Sequence, residues 1–77
     1  MEKQELLLLL DDLVGEEPGV LVGKEQLADI EGWDSLASVG FIALVDEYFE
    51  IIVSPKRLQT CTTVNDLIDL LNGHITE

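Results

Sequence analysis

Leu6, Leu9, Leu10 and Leu13 recur at i, i+3, i+4 and i+7, the spacing of one helix face, and predict a first helix from Lys3 to Val14. Leu7 and Leu8 widen that stripe. Glu2 and Glu5 fall in its first turn, where the helix dipole favours anions, and Gly15 is a natural stop. From Gly15 to Trp33 no helical period is sustained, and Pro18 with four glycines marks a long loop. Loops of that length in small domains are usually functional or tied down by their own side chains; Val20, Leu21, Leu27 and Ile30 are available for the tying.

A second helix is expected from Asp34 or Ser35 to about Phe49, with Asp34 as N-cap. Val39, Ile42, Val45 and Phe49 form its expected inward stripe, flanked by Leu36, Phe41 and Leu44. After an extended stretch at Ile51 to Val53, Ser54 followed by Pro55 opens a brief third helix reaching Thr60. Thr63 and Asp66 have capping-box spacing and open a fourth helix, where Val64, Leu67, Ile68 and Leu71 repeat the helical period and Gly73 closes it. The expected fold is all-α: a small four-helix bundle, three main helices plus a short third, with a long loop between helices one and two.

Length and charge narrow the function. Seventy-seven residues allow one domain, 1–77, and a chain this short buries only about 60% of its unfolded surface, leaving no room for an enclosed active site. The longest apolar runs, Leu6 to Leu10 and Phe41 to Val45, fall well below the roughly 20 residues of a membrane span. No secretory signal pattern is visible, so the expected setting is cytoplasmic. Sixteen acidic against four basic residues give a net charge of −12. That argues against nucleic acid and anionic membrane surfaces as partners and favours proteins with basic docking patches. Cys61 has no cysteine to pair with and reads as a small core residue; His74 reads as a helix-end residue without a role.

The candidate chemistry rests on Ser35. A nucleophilic serine needs a base and usually an orienting third group, but the one histidine lies at the far end of the chain and no GxSxG elbow is present. Asp11-Asp12 and Glu16-Glu17 do not match a calcium loop. Self-contained catalysis is therefore not expected. Ser35 instead offers access: it sits in the first turn of a helix after a glycine-containing loop, where a phosphate ester would face the amide-rich, positive helix end. The plainer reading is that Asp34-Ser35 only caps a helix.

The run Gly32-Trp33-Asp34-Ser35-Leu36-Ala37-Ser38-Val39, continuing to Asp46-Glu47-Tyr48-Phe49, closely resembles the acyl carrier protein family. So does Cys61-Thr62-Thr63-Val64-Asn65-Asp66-Leu67-Ile68, and the likeness extends over nearly the whole chain. The resemblance implies that Ser35 receives 4′-phosphopantetheine from coenzyme A through a phosphopantetheinyl transferase. The arm's thiol would then hold acyl intermediates as thioesters, in fatty acid, polyketide or a related specialised biosynthesis. It also implies recognition by partners through Asp34, Leu36, Val39, Gly40, Asp46 and Glu47. Those partners would be an acyl-loading enzyme and a ketoacyl synthase or acyltransferase with basic docking patches, meeting a monomeric carrier. Phe41, Ile42 and Cys61 would line a shelter for a short acyl chain.

The chain departs from that family in three places. Ala37 and Gly40 stand where carboxylates are usual, and a glycine inside a helix costs about 1 kcal/mol relative to alanine. Lys56 and Arg57 occupy a commonly acidic helix start, where cations are mildly unfavourable. Trp33 replaces a small residue. Together these point to a specialised carrier with its own partner, recognised in part through Lys56 and Arg57. An aminoacyl or peptidyl carrier ranks second, and an unmodified acidic helical adaptor is the reading from another class.

The charge excess carries an expectation of its own. Self-repulsion among sixteen carboxylates weakens with screening, so the melting temperature is expected to rise between low and moderate salt in a thermal scan; a flat response would refute it.

Overall fold

The two strongest helix signals, the leucine run and the apolar stretch after Asp34, become the two longest helices. In the computed structural model, which describes residues 1–76 and so leaves only the last position of the expected domain outside, α1 is Lys3–Leu13 and α2 is Ser35–Phe49. Two short helices follow, α3 at Pro55–Gln59 and α4 at Val64–Asp69, with a 3₁₀ turn at Leu27–Asp29 inside the long loop. Among the described residues there is no strand, only two isolated bridges. The bundle is all-α, as the hydrophobic periods imply.

The expected start signals are made by side chains. The Ser54 hydroxyl accepts from the Arg57 amide at 3.3 Å, with Pro55 in the first turn of α3. At α4 the capping box is complete: Thr63 Oγ1 accepts from the Asp66 amide, and Asp66 Oδ2 accepts from the Thr63 amide. Asp66 Oδ2 also accepts from the Thr62 amide at 2.8 Å. The Thr62 and Thr63 amides, in that order, hold the Asp66 carboxyl below its ordinary pKa.

Three expectations need correction. On α1 the core face is Leu6, Leu10 and Val14, while Leu9 and Leu13 are only half-buried. On α2 it is Ala37, Phe41 and Val45; Val39, expected inside, is 63% exposed. The reason is that Leu36 to Val45 contains one polar side chain, Ser38, so nothing in the segment marks a solvent face. Packing against α1 and α3 chooses the face instead. Third, α4 is not a full helix: after Asp69 the chain tightens into i→i−3 turns, as in Leu71 N–H to the Ile68 carbonyl and His74 N–H to the Leu71 carbonyl. Leu71 still reaches the core and is fully buried.

The long loop is ordered by bonds at both ends. Asp11, 1% exposed, turns its carboxylate from α1 into the loop: Oδ1 accepts from the Leu21 amide and Oδ2 from the Gly19 amide, each at 2.9 Å. Further on, Glu25 folds back to accept from the amides of Val22 and Gly23. Burial pushes the Glu25 carboxyl up, but those amides and the Lys24 charge outweigh it and hold it below its ordinary pKa. The loop then pairs with the start of α4: Leu27 N–H donates to the Thr62 carbonyl, Val64 N–H to that of Glu25, and Asn65 N–H to that of Gly23. Leu21, Leu27 and Ile30 drop into the core, as expected; Val20 stays out. The termini close against each other through Lys3 N–H to the Thr76 carbonyl and Thr76 N–H to that of Met1.

Asp11→Ala leaves two loop amides without their acceptor and is expected to cost about 3 kcal/mol in urea unfolding, Asp11→Asn roughly half as much. Faster hydrogen exchange at the Gly19 and Leu21 amides should accompany the loss.

Candidate functional site

Asp34 decides where α2 begins. Its backbone is extended, at φ −130° and ψ −170°, and its Oδ1 accepts from the Ala37 amide at 2.9 Å. Its carbonyl accepts both the Ser38 amide at 2.9 Å and the Ser38 hydroxyl at 3.0 Å. Asp34 is thereby committed to the helix end. Ser35 is the next residue, the first of a 15-residue helix. It is exposed, and its hydroxyl makes no hydrogen bond with the described residues. The amides of Ser35 and Leu36 have no acceptor among those residues either, so the positive end of α2 is open beside the hydroxyl.

Two cavities flank this point. One, about 590 Å³, lies between the 3₁₀ turn, α2 and α3, and is lined by Leu27, Trp33, Ser35, Val39, Ile42, Leu58 and Cys61 among others. The other, about 620 Å³, lies between α1 and α2, where Leu13, Gly32, Leu36, Val39, Gly40 and Ala43 meet. Val39 borders both, and Leu36 is 80% exposed. Trp33 is half-buried, with its ring edge-to-face on Phe41 at 6.2 Å between centroids. Phe41 itself is fully buried and lines neither cavity, so of the three expected shelter residues only Ile42 and Cys61 face this space. Cys61 is half-buried rather than in the core proper; burial first, then the Asp66 charge, pushes its thiol up.

Asp34, Ser35, Leu36 and Val39 thus gather at the head of α2. Asp46 and Glu47, both exposed, stand about 16 Å further along the axis. Lys56 and Arg57 are exposed on α3, which forms a wall of the first cavity. In a five-residue helix they lie as near the carbonyl end as the amide end, so the expected dipole penalty has no clear sign there. His74 sits with its ring edge on Phe49, at the opposite end of α2 from Ser35.

Sequence reasoning passed over Gly32. A Cβ there would overlap the carbonyl oxygen of Val14, so the loop crosses the end of α1 at a distance only glycine permits. Gly40 has a milder reason: its Cβ would stand 2.7 Å from Leu13 Cδ1, the end of a flexible side chain.

An exposed serine hydroxyl, two open amides at a long helix's positive end and an adjoining apolar groove fit a phosphate-linked arm. Residues 4–71 match the family described as phosphopantetheine attachment site. The chain belongs to that family. Its cofactor is 4′-phosphopantetheine. An acyl carrier protein of Phytoplasma mali (strain AT) is 34% identical over 44 residues, covering 57% of this chain and 52% of that protein. The chain thus spans about half the length of that relative. No solved structure matches it.

Gly32→Ala must move backbone against backbone and is expected to cost about 2–3 kcal/mol, with a shift in Trp33 fluorescence. Gly40→Ala displaces only a leucine tip and gains helix propensity, so its unfolding free energy should stay within about 1 kcal/mol of the parent. Equal costs would contradict this assignment.

Proposed function

We propose that the chain is an acyl carrier protein that bears its 4′-phosphopantetheine on Ser35. The observation that carries this is the Ser35 hydroxyl: exposed, without a hydrogen bond to the described residues and first in α2, inside the segment that matches the family. Asp34 holds the helix end still while leaving the serine free, and the open Ser35 and Leu36 amides would stabilise the phosphodiester. When bound, the arm supplies a terminal thiol on which an acyl group rides as a thioester. The chain itself attaches, presents and identifies that arm. In this reading the transfer chemistry belongs to its partners.

Leu36 and Val39, exposed beside Ser35, offer apolar contact to those partners, and Asp46 and Glu47 offer charge along the same helix. The partners in this reading are a phosphopantetheinyl transferase, an acyl-loading enzyme and a ketoacyl synthase or acyltransferase. Gly40 lets Leu13 pack close against α2, where both line the second groove. The carrier works as a cytoplasmic monomer, dedicated to one fatty acid, polyketide or related pathway. No helix among the described residues is long and apolar enough to cross a membrane.

The test is intact mass after incubation with coenzyme A and a promiscuous phosphopantetheinyl transferase. The wild type should gain one arm, and Ser35→Ala none while keeping its helical circular dichroism. An unmodified wild type across several transferases would overturn the proposal in favour of an adaptor that works without the arm.

A further inference from the structure

Half of this chain's positive charge stands on its shortest helix. There are four basic residues against sixteen acidic ones, and Lys56 and Arg57 are two of the four. Both are exposed, and neither forms an ion pair with the described residues, although carboxylates outnumber cations fourfold. Within the fold the Cys61 thiol feels the Arg57 charge, and neither side chain is tied to a carboxylate. α3 turns Leu58 inward and, with Pro55, Leu58 and Gln59, builds one wall of the groove that Ser35 borders. The segment leading into α3 exposes Ile52 at 86%, the most exposed large apolar side chain described.

The opposite sign lies on α2. Asp46 and Glu47 are exposed towards its far end, and Glu50 follows at its C-cap. None of these four charges lines the groove itself, but a protein broad enough to cover both α2 and α3 around it meets carboxylates on one element and cations on the other. A uniformly basic docking patch would match α2 and be repelled by α3. Exposed charges at an interface rim act mainly on encounter rate and on the choice between partners, within a Debye length of about 8 Å at physiological salt.

We propose that the Lys56–Arg57 pair selects a partner enzyme that carries carboxylates opposite α3 and cations opposite Asp46 and Glu47. This rests on the reading of Ser35 as the attachment point. It assigns the pair to recognition and makes the docking face bipolar, which a chain of net charge −12 does not otherwise require.

The test uses the arm-bearing protein and, as probe, a malonyl transferase with a basic docking surface. Wild type, K56Q/R57Q and K56E/R57E are each brought to the arm-bearing form, confirmed by mass and by circular dichroism, and malonyl loading rates are compared at low and moderate salt. Loading should quicken from wild type to the neutral to the acidic variant, on the order of fivefold in all at low salt, and the gap should narrow as salt rises. A scan of Arg→Glu and Lys→Glu changes on the transferase surface should then yield a variant that prefers wild type to K56E/R57E. Equal rates for all three carriers, or no reversal anywhere in the scan, would overturn the proposal. Failure of the Ser35 reading shows separately and earlier, as no gain of arm mass in any of the three.

Discussion

The buried carboxylate of Asp11 is the interaction on which the rest of this structure hangs. The chain between α1 and α2 is long, polar and rich in glycine, and it must be held against the bundle at the cost of considerable backbone entropy. Two charge-assisted bonds from Asp11 to the Gly19 and Leu21 amides hold its first half, and Leu21 enters the core beside them. The backbone bonds to Thr62 and from Val64 and Asn65 hold its second half against α4. Beyond these ties the loop reaches Asp34 across the carbonyl of Val14, where Gly32 lets it pass.

That route presents the proposed attachment point. Asp34 spends its side chain on the Ala37 amide and its carbonyl on Ser38, so the helix end is closed on one side and open at Ser35 and Leu36. The burial of Ala37, Phe41 and Val45 turns the opposite face of α2 outward, with Ser35, Leu36 and Val39 at its head. A small core thus serves presentation directly: the residues that fill it determine which ones remain for a partner. A chain that buries so little leaves Leu36 and Val39 as exposed apolar area beside the serine.

Charge divides along the same lines. Most carboxylates are solvated, but Asp11, Glu25 and Asp66 each close a backbone turn by accepting from amides. Among the described residues Lys56 and Arg57 form no ion pair on α3.

Local rules were enough for much of this. The helix starts at Asp34, Ser54 and Thr63 were legible because a cap is a contact between near neighbours, settled by residue type at a fixed spacing. Ser35 stood out as the candidate residue for the same reason, and the sequence determined the number of helices, their order and the acidity of the surface. Asp11 lies directly after the buried Leu10 and three residues before Val14, yet its acceptor role depends on amides eight and ten residues away. Gly32 carried none, since its constraint is a carbonyl on another element. The face that α2 buries, the early end of α4 and the two grooves beside Ser35 were decided by tertiary structure alone. In each case the local pattern was satisfied by more than one arrangement, and close packing against a distant element chose between them.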